Sequence, residues 1–268
     1  MRCITKDLAA QMEGCIKQTH IEVSKQYAEG KILEISGGAA CFSGIDSYLS
    51  QVVGWGFATQ PKQFKSEIEN IEHFYKTQAH LRVDIELCPF VGNELTVFLS
   101  ERGYGVSEVN NVSALNLKTY EPVEYVIEPF EIREVAFAEL GEWATRVALG
   151  FGYPEARNQF FRYVQAKGVK AFAVYEHELI VAGAVVAMHG EFCDLGVTST
   201  LVAYRGMGLQ KKLLHARLNF AKKQGLSWAI VTTEPGTVSD ANVQKIGFHC
   251  AYTRIKMTLE HKWGRYAI

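Results

Sequence analysis

Charge of one sign is what this sequence has least of. Lysine and arginine total 28 and aspartate and glutamate 29, a formal net charge of −1 over 268 residues. No global field draws in a polyanion, which argues against nucleic acid or an anionic membrane as partner and makes any phosphate site a local one. Long apolar runs are missing too: none approaches the roughly 18 residues of a membrane span. Lys6, Asp7, Gln11 and Glu13 interrupt the apolar stretch that a signal peptide would need. Six cysteines, at 3, 15, 41, 88, 193 and 250, include no C-x-x-C pair, which excludes the usual zinc and disulfide frameworks. A reduced cytoplasm is the expected location, and Cys193 and Cys250, inside apolar runs, are expected to be small buried hydrophobes. Neither a G-x-G-x-x-G fingerprint nor a Walker A loop accompanies the glycines around 206.

What is present is the composition of a folded α/β protein, 48% hydrophobic and 21% charged. The length suggests two modules. In the first, residues 5–29 read as helix, 31–35 and 48–57 as strands, and 61–77 as a helix opened by Pro61. Leu81–Leu87 alternates like a half-buried strand; Asn93 is placed to cap a helix to about Arg102, and a strand covers Glu108–Leu117. His73, His80, Asp84 and Glu86 lack metal-ligand spacing and are read as solvated or capping groups. The segment Lys118–Pro129, with two prolines and three glutamates, is the candidate boundary and gives domains 1–122 and 123–268. The second module begins with a strand at Ile127–Val135 and helices at 137–148 and 155–165. Strands follow at 171–175, 180–189 and 191–200, then a helix at 209–223. A strand at 228–233, a short helix at Ser239–Ile246 and a strand at 252–259 close it.

The local pattern that carries chemistry is Thr200-Leu-Val-Ala-Tyr-Arg-Gly-Met-Gly-Leu-Gln210, between a strand and a helix. Glycines at 206 and 208 let main-chain amides approach an anion. The helix that follows offers unsatisfied N–H groups and the positive end of its dipole at the same place. Arg205 could add a charge-assisted contact. Alone, such a turn equally marks a tight strand-to-helix connection. The helix itself carries an apolar stripe, Leu209, Leu213, Ala216 and Phe220; Lys211, Lys212, Lys222 and Lys223 read as its solvated face.

Tyr204-Arg-Gly-Met-Gly-Leu-Gln210 followed by Asp240-Ala-Asn-Val-Gln-Lys-Ile-Gly-Phe248 resembles the GNAT superfamily of acyl-CoA-dependent N-acyltransferases, over roughly residues 127–260. The resemblance implies a mixed, mostly antiparallel sheet flanked by helices. It implies acetyl-CoA as cosubstrate, its pyrophosphate on the amides of Arg205, Gly206, Met207, Gly208, Leu209 and Gln210. Pantetheine would lie along Thr198, Thr200, Leu201 and Val202, with Asn242 bonding it and main chain near Leu201 and Val202 polarising the acetyl carbonyl. Where many members place a tyrosine four residues before Gly-Phe, this sequence has Val243. The proton donor must come from elsewhere: Tyr252 and Ser239 are candidates, Ser239 also serving as the helix N-cap, and Asp194 is a candidate base. Phe151-Gly-Tyr153-Pro154 breaks two helices where the family commonly lines its acceptor side. Leu99-Ser-Glu-Arg-Gly-Tyr104 looks like a faded copy of the helix-Gly-aromatic element, so the first half is expected to be a degenerate GNAT-like unit in tandem. The implied activity is acetyl transfer to an amine of a small molecule or peptide. A non-catalytic acyl-CoA sensor, and a nucleotide-binding module using the same loop, stay open.

Overall fold

The computed structural model describes residues 4–45, 47–124 and 128–260, so Cys3 and the first residue of the strand expected at Ile127–Val135 lie outside the described residues. The chain forms two compact units. Unit 1 takes the described residues of Met1–Val112 and Ala251–Ile268; unit 2 is Ser113–Cys250.

Unit 1 contains α1 (Lys6–Ser24), β1 (Lys31–Ile35), β2 (Gly38–Phe42), β3 (Val52–Val53), α2 (Phe64–Thr77), β4 (Arg82–Leu87), α3 (Asn93–Glu101) and the first part of β5 (Gly105–Asn116). The strand expected over 48–57 shrinks to two residues, because Gly54 and Gly56 both turn to positive φ. Strand β1 runs antiparallel to β2 and β2 to β3, while β3 lies parallel to β4. Trp55, Ile68, Ile71, Tyr75, Val83, Ile85, Leu95 and Leu99 make its core. The cap of α3 is Gly92, with Asn93 already its first helical residue.

Unit 2 contains β6 (Phe130–Glu134), α4 (Leu140–Phe151), α5 (Arg157–Gln165), β7 (Val169–Glu176), β8 (Leu179–His189), β9 (Phe192–Asp194), β10 (Thr198–Thr200), α6 (Leu209–Lys223), β11 (Trp228–Thr233) and α7 (Val238–Lys245). Its strands β6, β7, β8 and β9 pair antiparallel in turn, and β9 lies parallel to β11. Of the apolar stripe of α6, Leu209 and Leu213 are buried and Ala216 and Phe220 partly buried, in one core with Val186, Ala229 and Phe248.

From α1 to β5 the chain runs helix, three strands, helix, strand, helix, strand. From α5 onward it runs the same course, ending in β12 (His249–Glu260), with β9 and β10 together in the place of β3. The sheet is mixed and mostly antiparallel, with helices flanking it, as expected. The division at 112/113 differs from the 122/123 boundary read from the prolines. It follows sheet pairing instead: β12 lies antiparallel to β4, with Ile255 opposite Leu87 and Glu260 opposite Arg82, so residues from Ala251 complete unit 1. The main chain after β5 stays with unit 2, where Leu117 N–H donates to Ser227 O.

That pairing overturns the reading of β4 as half-solvated. His80, Asp84 and Glu86 are buried. Arg82 pairs with Asp84, and Arg254 and Lys256 on β12 pair with Glu86. Cys193 is buried as expected, but Cys250 is exposed. Among the described residues no helix is long and apolar enough to cross a membrane, and no cluster of His, Cys, Asp and Glu could hold a metal.

Candidate active site

Unit 2 opens a groove of about 720 Å³ at the start of α6. The chain reaches it through a single helical turn at Val202–Tyr204, then Arg205 and the two glycines. Gly206 and Gly208 take φ +83° and +73°, and a Cβ on either would meet no atom within 4 Å. Their side-chain space therefore opens into the groove. Gly208 is the N-cap of α6 and brings no side-chain acceptor, so the first-turn amides keep their donors for a ligand. This geometry is compatible with the anion site expected from the sequence, and it needs no net basic charge.

The other end of the groove is a fork in the sheet. Long strand β8 pairs with β9 at one end and with β10 at the other. Between them the chain bulges at Leu195-Gly-Val197, and Val197 has φ +33°. Strand β11 follows β9 only to Ile230, whose carbonyl accepts from Leu195 N–H at 2.9 Å. Past that bond no register joins β11 to β10, and the strands part. Val185 N–H donates to Val197 O and Leu201 N–H to Val181 O, so odd-numbered residues of β10 bond β8. The amides of Thr198 and Thr200 therefore turn away from β8, into the fork. The Leu201 amide, expected near the acetyl carbonyl, is already bonded to Val181 O.

Thr198, Thr200, Arg205, Gly206, Gly208, Leu209, Gln210 and Asn242 all line the groove. Leu201, Val202 and Met207 do not; Val202 and Met207 point to solvent, 70% and 51% exposed. Arg205 is turned from its expected task. Its Nη2 donates to Gly150 O at 2.8 Å and its Nε to Thr200 O, so it caps the end of α4 and ties the loop to that helix. Gly150 and Phe151 thereby join the lining. Gly150 carries no sequence signal of this kind, since its carbonyl, not its side chain, makes the contact. Phe151 stacks on Phe160 with ring centroids 5.3 Å apart, and Tyr153 stands away from the groove in solvent. Of the lysines read as solvated, Lys211 faces the groove and Lys222 bonds Tyr120 O.

At α7, Asn242 Nδ2 donates to Gln210 Oε1 at 2.6 Å, and Gln210 Nε2 donates to Ser239 Oγ at 3.0 Å. These three side chains link the start of α6 to α7. Ser239 is not the cap of that helix; Thr237 is, accepting from Asp240 N–H, which leaves the Ser239 hydroxyl to Gln210. Val243 is buried in the unit 2 core and presents nothing to the groove. Asp194, also buried, acts with Cys193 on fully buried Arg217, whose guanidinium burial pushes down to about 10 while those two groups pull it up. Neither Asp194 nor Ser239 lines the groove. Tyr252 belongs to unit 1, where its hydroxyl donates to buried Glu13 at 2.7 Å. Burial, and then the Glu13 charge, hold that phenol far above its ordinary value. Of the two alternative proton donors and the candidate base, Ser239 and Asp194 lie outside the groove lining and Tyr252 belongs to unit 1.

The chain is similar in fold to a GCN5-related N-acetyltransferase from Kribbella flavida, with TM-score 0.72 and 18% identity over 94% of this chain and 95% of that one. It is also similar to a tandem GNAT protein from the clavulanic acid biosynthesis pathway, with TM-score 0.65, 14% identity and coverage of 90% and 87%. A third similar structure is a GCN5-related N-acetyltransferase from Sphaerobacter thermophilus, with TM-score 0.61 and 15% identity over 78% and 71%. No family model and no curated protein matches the chain. At these identities the likeness is one of fold, and the fold is that of the GNAT superfamily.

Proposed function

We propose that this chain, which carries the GNAT fold, is an N-acetyltransferase that moves an acetyl group from acetyl-CoA to an amine of a small molecule or peptide. One observation carries the reading: a single groove joins a glycine-opened helix start to a fork in the sheet with inward-turned amides. The first suits a pyrophosphate and the second a thioester carbonyl. Solved structures of similar fold described as N-acetyltransferases support it.

Acetyl-CoA would supply the activated acyl group. The amides of Gly206 to Gln210 would hold the pyrophosphate, and those of Thr198 and Thr200 would donate to the acetyl carbonyl oxygen. Asn242, held by its bond to Gln210, would meet the pantetheine arm. The amine would attack the carbonyl carbon directly, form the C–N bond and expel the thiolate, with the ammonium proton passing to water. Cys193 is no nucleophile: it is fully buried, and burial pushes its thiol well above the ordinary range. Positioning and carbonyl polarisation would supply most of the rate. The expelled thiolate would take its proton from water; the Ser239 hydroxyl, which accepts from Gln210 and lies outside the groove lining, would serve to hold Gln210 and Asn242.

Calorimetry with CoA, ATP and NAD, followed by free-thiol release from acetyl-CoA with a panel of amines, tests this. CoA should bind far more tightly than the other two, and thiol release should depend on the amine. Binding without release from any amine would instead favour a non-catalytic acyl-CoA sensor, the reading that buried Val243 supports. Equal binding of ATP would leave only a general phosphate site.

A further inference from the structure

The fork rests on a backbone that its own residues do not favour. Val197 is β-branched, yet its φ is +33°, a region such side chains enter only under strain. The surroundings hold it there. Val197 O accepts from Val185 N–H at 3.1 Å. Arg217, on α6, sends Nη1 to Val185 O at 2.7 Å and to Gly196 O at 3.3 Å, while Nε donates to Leu213 O. One guanidinium thus bridges the carbonyl of β8 and the carbonyl inside the bulge.

This is a costly way to fill a core. Arg217 is completely buried, and its Nη2 has no hydrogen-bond partner. A well-packed apolar side chain serves stability at least as well as a buried charge in such a place. The guanidinium differs from an apolar group in what it does to the main chain: it binds two carbonyls that the bulge would otherwise leave apart.

We propose that Arg217 is a positioning residue, whose guanidinium keeps the 195–197 bulge in its strained form and so keeps the Thr198 and Thr200 amides turned into the fork. This rests on the acetyltransferase reading and extends it to a residue that never meets substrate. Its effect falls on the acetyl end of the groove, because the pyrophosphate end is built by Gly206, Gly208 and the first turn of α6.

The test uses the full chain with Arg217→Lys, Arg217→Met and Arg217→Lys combined with Val197→Gly. Calorimetry measures CoA binding, and infrared spectroscopy follows the carbonyl stretch of bound acetyl-CoA labelled with carbon-13 at the acetyl carbonyl. Wild-type protein should shift that band to lower frequency, as a polarised carbonyl does. Both single variants should lose most of the shift with CoA affinity unchanged, since a lysine nitrogen stops one bond short of the Nη1 position and lacks the Nε that donates to Leu213 O, and methionine donates nothing. Adding Val197→Gly should restore the shift, because glycine holds positive φ without strain. An unchanged band in Arg217→Lys, or a matching loss of CoA affinity, overturns the proposal while the functional reading survives. Wild-type protein that binds no acetyl-CoA overturns both. Failure of both single variants to fold would make Arg217 a structural pillar only, which also overturns it.

Discussion

On the proposed reading, ligand binding turns on Gly206 and Gly208. Each sits at positive φ, where an alanine costs about 1–2 kcal/mol of backbone strain. Each would also push a methyl group into the space where an anion approaches the α6 amides. Gly208→Ala should therefore weaken CoA binding by on the order of tenfold or more, a loss of at least about 1.4 kcal/mol. Calorimetry reads the affinity, and denaturant unfolding separates it from stability; an alanine that unfolds sooner yet binds CoA normally would remove the cradle from that site. A second residue-scale prediction concerns pH. His20 is buried, and burial first, then the Arg254 and Lys256 charges, push its imidazole down to about 4. The ring is thus neutral in the folded state while the unfolded chain titrates near 6.5. Above that value His20 adds no pH slope. As pH falls from about 6.5 to about 4 the unfolded state binds a proton that the folded state refuses, so stability is lost, by up to about 3 kcal/mol. Nearby Glu13, whose carboxyl burial raises, acts with the opposite sign, so the comparison must be with a variant. His20→Gln, which keeps a polar partner for Gln51, should flatten the acid limb of stability relative to wild type; an unchanged limb would show that His20 is not its source.

Elements explain why one half of the repeat is expected to bind ligand and the other is not. In unit 2 the helix after the strand pair begins with open glycines. In unit 1 the equivalent start of α2 is filled from within: Glu67, in its first turn, accepts from Trp55 Nε1 at 2.5 Å, from Thr59 Oγ1 at 3.0 Å and from Ser36 Oγ. An internal carboxylate already occupies the positive end of that helix, and Trp55 fills the space beside it without exposure. The chain should therefore bind one CoA, not two, and Gly208→Ala should diminish all of it. A calorimetric stoichiometry near two per chain would contradict this. Much at this scale was legible in the sequence, because its signals are local. The helix at 209–223 and the strand at 228–233 fall where apolar period and glycine punctuation put them. The bulge was not legible. Asp194-Leu-Gly-Val-Thr198 reads as unbroken strand because valine favours strands, and its left-handed turn comes from Arg217, a contact made across the fold. Arg205 misled for a related reason: a cation beside two glycines suggests a phosphate, but the Gly150 carbonyl takes its guanidinium.

At the scale of the whole molecule, the terminal strands decide what a domain is. The two halves follow the same element order, yet the strand that closes the second repeat, β12, pairs with β4 of unit 1. Strand β5, which closes the first, neighbours β11. No composition shift announces this, since pairing partners so far apart in sequence leave no local trace. Tyr252 illustrates the consequence: on sequence order it belongs beside the cofactor loop, but strand pairing delivers it to Glu13. A fragment cut by the sequence boundary, residues 123–268, would keep the groove residues and lose Ser113–Leu117. Strand β11 would then have an open edge, and β12 would lack β4 and its charged partners Glu13 and Glu86. Unpaired edges and unmatched buried arginine and lysine both favour aggregation over folding. The fragment should therefore be insoluble, or lack cooperative unfolding and CoA binding, whereas the full chain shows both. Circular dichroism melts and CoA titration of the two side by side decide the matter. A fragment that melts cooperatively and binds CoA like the full chain would mean that neither exchanged strand is needed to build the groove.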